Sequence, residues 1–98
     1  MGTAVSLQPP PQYDVAPPVP VIERILSFEE LQKVCAPLLL KTAGRVIEPT
    51  EFFRGCTQPR VVKGGTTVCL VYRVDYEIVR RHEWAHCAGW PADHPGGR

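Results

Sequence analysis

Ninety-eight residues make one small domain, and a chain of this size buries only about 60–65% of its unfolded surface, so its core is thin. Eleven Lys and Arg against ten Asp and Glu leave a net charge of +1, which speaks against nucleic-acid or anionic-membrane binding driven by bulk charge. An apolar content of 44% excludes a wholly disordered chain, and no apolar run approaches the ~20 residues of a membrane span.

In chain order, Met1 to Leu7 shows neither a basic start nor an apolar stretch of signal-peptide form. Met1-Gly2-Thr3-Ala4-Val5-Ser6 fits the bare myristoylation pattern, which is too short to carry weight. Pro9, Pro10, Pro11, Pro17, Pro18 and Pro20 then favour extended backbone and withhold ladder donors. Residues 1–20 therefore read as a flexible or extended Pro-rich arm, and residues 21–98 as the folded domain. Ser27 and Glu30 have the form of a capping box, and Phe28, Leu31, Val34 and Cys35 recur at helical spacing. Pro37 should end or bend this helix, and Gly44 should stop it. Residues 45–66, rich in Gly and Pro, read as turns and short strand pieces. Thr66 to Val74 alternates as a strand, with Val68, Leu70, Tyr72 and Val74 forming the face expected to meet the core. Asp75 can cap a helix from Tyr76 to about Ala88, which Gly89 ends in left-handed geometry before Pro91. Helices and strands in this arrangement predict an α+β domain with a short antiparallel or mixed sheet.

Cys35, Cys56, Cys69 and Cys87 include no close pair, so a cysteine-based zinc finger is not expected. Two disulfides suit a thin core and point to a periplasmic or secreted setting; a Cys69–Cys87 bridge would tie the last helix to the preceding strand. Four reduced, mostly buried cysteines, Cys87 as a fourth metal ligand, or a Cys35 or Cys56 thiol over an open metal position are the alternatives.

The chemistry concentrates in His82-Glu83-Trp84-Ala85-His86. Chance places HExxH in roughly 0.2% of chains this long, and here it falls inside a helix read independently from capping and periodicity. Imidazoles four residues apart share one helix face and can grip one zinc ion. Glu83, about 100° around the helix, flanks the ion and is suited to act as general base. The only other histidine is His94, just past the glycine stop. It is the favoured third ligand, with Asp93 as the alternative and Glu48, Glu51, water or another subunit behind them. Tyr72 can be an oxyanion donor or a packing tyrosine, and Trp84 and Trp90 read as packing residues. Arg80 and Arg81 read as a solvated helix face.

The run from His82 to His94 resembles the zinc helix of the zincin metallopeptidases. Gly89, three residues after His86, is similar to the metzincin pattern HExxHxxGxx followed by His or Asp. The likeness covers about 13 of the 98 residues and extends to small bacterial sequences of metallopeptidase type ending in Gly-Trp-Pro-Ala-Asp-His. It departs at Ala92, which stands at the third-ligand position, and in having no methionine besides Met1. The resemblance implies a zincin-like domain, zinc held by His82 and His86, Glu83 as base, and a peptide or protein substrate paired along the Thr66–Val74 strand. Oligomeric state is not readable. The competing expectations are a non-catalytic protein with a structural zinc and a disulfide-stapled interaction domain.

Overall fold

The computed structural model describes residues 8–43 and 52–97. Five elements follow one another: β1 (Val21–Ile25), α1 (Phe28–Ala43), β2 (Gly55–Lys63), β3 (Thr66–Arg73) and α2 (Glu77–Cys87). They form a small α+β domain around a mixed three-stranded sheet in the order β1-β3-β2. β3 runs parallel to β1, with Val21 opposite Cys69, and antiparallel to β2, with Gly55 opposite Arg73. The β2–β3 turn uses Gly64 and Gly65, both at positive φ. A register shift between Gln58 and Val61 puts Pro59 and Arg60 at an irregularity, where a proline does not cost a ladder hydrogen bond.

β3 is buried on both faces from Val68 onward, not on one. Its odd-numbered residues turn toward α2, where Cys69, Val71 and Cys87 pack with Val19, Val21 and Trp84. On the other face, Tyr72 and Val74 pack with Leu31, Cys35, Cys56 and Phe53. One disulfide fastens a helix to each face: Cys35–Cys56 joins α1 to β2, and Cys69–Cys87 joins β3 to α2. With loops of 21 and 18 residues, each bridge contributes about 3 kcal/mol by restricting the unfolded chain. All described cysteines are thus bonded, which removes Cys87 as a metal ligand and Cys35 or Cys56 as a free thiol over the metal position.

Ser27 caps α1 as its sequence suggests, its Oγ accepting the Glu30 N–H at 3.2 Å. Pro37 does not end the helix, which continues to Ala43. The N-cap of α2 is Tyr76, not Asp75: the Tyr76 carbonyl accepts the N–H groups of Val79 and Arg80. Asp75 instead lies 3.7 Å from the Arg73 guanidinium. Residues 21–25, left unassigned by alternation alone, form β1 because Val21 packs beneath Cys69 and Val71 while Glu23 finds buried donors.

The Pro-rich segment is packed rather than free over its described part, residues 8–20. Pro9 and Pro10 are buried, Asp14 pairs with Arg81, and the Pro20 carbonyl accepts the Cys69 N–H at 2.9 Å. Gly44, Glu48, Glu51 and the Met1–Ser6 pattern lie outside the described residues. No helix among the described residues is long and apolar enough to cross a membrane.

Candidate metal centre

α2 carries His82 and His86 on one face, one turn apart. It ends in a Schellman motif: the Gly89 N–H donates to the His86 carbonyl at 3.2 Å and the Trp90 N–H to the Ala85 carbonyl at 3.0 Å. Gly89 supplies the left-handed residue at φ 109°, a conformation costly for a residue with a Cβ. The chain then doubles back, and His94, itself left-handed at φ 58°, aims its ring at the helix.

The result is a triangle of imidazole nitrogens. Nε2 of His82 lies 3.3 Å from that of His86, and the His94 Nε2 lies 3.1 Å from each. A tetrahedral zinc with bonds of about 2.0–2.1 Å has ligand atoms about 1.63 bond lengths apart, or roughly 3.3–3.4 Å. The triangle therefore has the size of one face of such a tetrahedron. A neutral imidazole has one N–H and one lone pair. The His86 Nδ1–H donates to the Trp90 carbonyl at 2.8 Å, which leaves the lone pair on the His86 Nε2, turned into the triangle. Burial pushes the pKa of His86 below the usual histidine value, against the Trp90 carbonyl and with help from His94; burial does the same to His94 against the charge of Asp93. The neutral ring is the form that binds metal. Among the described residues, His82, His86 and His94 form the group that could hold an ion. Asp93 is exposed and is not part of it.

Glu83 is buried beside this triangle, with Oε2 3.9 Å from the His82 Nε2. Its other oxygen, Oε1, accepts the Thr57 hydroxyl at 2.6 Å. Burial raises the Glu83 carboxyl to about 7, although the Thr57 hydrogen bond pulls the other way. A group of that acidity near neutral pH can take and return a proton. Room for it comes from Gly55: a Cβ there would stand 2.8 Å from the Glu83 Cγ and 2.9 Å from Oε2. Gly55 and Thr57 are the site residues that sequence reasoning missed. A Gly-x-Thr at the head of a strand was the available signal, but Gly55 reads equally well as a turn glycine.

Other sequence candidates fall elsewhere. Tyr72 lies on the α1 face of the sheet, opposite Glu83, which rules it out as a hydroxyl donor at this site. Trp84 donates its indole N–H to Glu23 at 2.6 Å, and Glu23 also takes two bonds from Arg73 at 2.7 and 3.2 Å. Arg80 pairs with Glu77, and Arg81 with Asp14. From Cys69 to Arg73, β3 cannot receive a substrate strand, because β1 and β2 occupy both of its edges there. Comparison with known proteins returns no matching protein-family model, no matching curated protein and no matching solved structure.

Proposed function

We propose that this protein is a small zinc-dependent hydrolase acting on peptide bonds, with His82, His86 and His94 as the metal ligands and Glu83 as the general base. The observation that carries the reading is the juxtaposition of a three-nitrogen triangle of tetrahedral size with a buried carboxyl whose Oε2 lies 3.9 Å from the His82 Nε2. Three neutral nitrogen donors suit zinc better than magnesium or calcium, which prefer oxygen. A zinc ion held there would supply Lewis-acid chemistry, acidifying water and polarising a carbonyl. Glu83 accepts the proton of the attacking water at its Oε2 and returns it to the leaving amine. Thr57 keeps Oε1 engaged, so that Oε2 is the working oxygen. β2 is an edge strand of the sheet and lines Glu83 through Gly55 and Thr57; an extended peptide adding to that edge would run past the site. The two disulfides fit an oxidising compartment.

The test is Glu83→Gln assayed on a fluorescence-quenched peptide library. The variant should bind zinc like the parent and lose at least about a hundredfold in hydrolysis, the usual contribution of a positioned base. A parent that binds zinc yet cleaves nothing in the library would favour a structural metal site instead.

A further inference from the structure

Trp90 is almost fully buried, 2% exposed, and touches every ring of the triangle. Its indole stacks on His86 with centroids 5.1 Å apart and planes 15° apart. It meets His82 at 5.1 Å and 72°, and His94 at 5.0 Å and 79°, both edge to face. Its carbonyl accepts the His86 Nδ1–H, its backbone N–H closes the Schellman turn on Ala85, and its indole N–H donates to the Pro95 carbonyl at 2.9 Å. One residue is therefore fixed to the helix end, to the ligand pair on the helix and to the loop that carries the third ligand.

We propose that Trp90 is the positioning residue of the metal centre: a rigid floor that holds three imidazoles from two separate segments at ion-binding spacing before the ion arrives. This rests on the reading of His82, His86 and His94 as ligands. The physical argument is preorganisation. His82 and His86 are placed by the helix, but His94 lies eight residues beyond His86 on a loop whose turn bonds, His94 N–H to the Pro91 carbonyl and Gly97 N–H to the His94 carbonyl, fix its backbone and not its ring. Without a surface to lean on, its ring would have to be ordered at the moment of binding, and that ordering would be subtracted from affinity. A planar indole offers each ring a defined contact, whereas an aliphatic side chain of similar volume offers bulk without orientation. The carbonyl bond also fixes the His86 tautomer, as partners of metal-bound histidines commonly do.

The experiment uses the full chain with its disulfides intact, as parent, Trp90→Phe, Trp90→Leu and His94→Ala. Zinc affinity is read by competition with a chromophoric chelator, and ligand geometry by the visible absorption of the cobalt(II)-loaded protein. Trp90→Leu should weaken zinc by roughly 10- to 100-fold, the range for lost supporting partners, and should alter the cobalt spectrum toward that of His94→Ala. Trp90→Phe keeps a stacking plane and should recover most of the affinity. If Trp90→Leu does not fold, Trp90→Phe together with Trp84→Phe decides: in the latter Trp90 is the sole tryptophan, and its emission should change on saturation with zinc. Zinc affinity of Trp90→Leu within twofold of the parent, an unchanged cobalt spectrum, or a silent Trp90 emission would overturn the proposal while leaving the ligand assignment standing. A parent that binds no zinc would overturn the ligand assignment first.

Discussion

Gly55→Ala perturbs the site through a single methyl group. At an unobstructed strand position this change stabilises a protein by roughly 0.5–1 kcal/mol, because alanine has less unfolded freedom to lose. Here the new Cβ would lie 2.8 Å from the Glu83 Cγ, whereas ordinary contact begins at 3.4 Å, so the side chain must retreat by the difference, 0.6 Å. It has little space to do so, being buried and tied to Thr57 by a 2.6 Å hydrogen bond. Overpacking of this kind costs about 1–3 kcal/mol, and loosening the Thr57 bond adds to it. The net expectation is a loss of about 1–3 kcal/mol, or a fall of roughly 4–20 °C in Tm for a domain of this size. Zinc binding should persist, since no imidazole is touched, while hydrolysis should fall with the displacement of Glu83. Thermal and urea unfolding of the metal-free variant give the first number, and chelator competition the second. A Gly55→Ala protein as stable as the parent, or more so, would refute the close approach of β2 to Glu83.

The Glu23 carboxyl gives a pH signature. Burial works to raise its pKa, but the bonds from Arg73 and Trp84 prevail and hold it below the usual carboxylate value. A folded value below the unfolded one means that the contribution is complete above about pH 4.5 and disappears as the pH falls through the lower, folded value. Urea unfolding between pH 2 and 6 should show this acid limb, and Glu23→Gln should flatten it; an unchanged limb would place the acid sensitivity elsewhere. Replacing Cys69 and Cys87 together by alanine opens the 18-residue loop and should cost about 3 kcal/mol. Because that bridge ends on the residue after His86, zinc affinity should fall with it, whereas the Cys35–Cys56 pair replaced likewise should lower stability with little effect on zinc. Equal effects of the two replacements on zinc would contradict the placement of the bridges on opposite faces of the sheet.

The site was legible where its residues are local. The HExxH pair, the glycine stop and His94 lie within thirteen residues, and helical geometry plus one tight turn suffices to bring them together. The left-handed Gly89 follows from the same local logic, as does the Ser27 cap of α1. What was not legible depends on pairing over long separations. β1 is short and half-charged, and Glu23 reads as a solvent residue until Arg73 and Trp84, 50 and 61 positions away, are seen to bond it. β3 looks like a one-sided strand because its odd face carries Thr67 and Arg73, yet those residues are at its ends and the middle is buried on both sides. Pro37 reads as ending or bending its helix; it does not end it, since packing of Leu31 and Cys35, with the bridge to Cys56, holds α1 against the sheet and the helix runs on. Trp90 reads as a packing residue from sequence; only the turn that carries it back along α2 shows what it packs against.

The central claim is that three imidazoles form one metal site, and zinc stoichiometry on the disulfide-bonded chain tests it most directly. The parent and Glu83→Gln should each bind one zinc ion per chain, and His82→Ala, His86→Ala and His94→Ala should each weaken that binding by orders of magnitude. A parent that takes up no zinc, or three histidine variants that bind it as the parent does, would contradict the account.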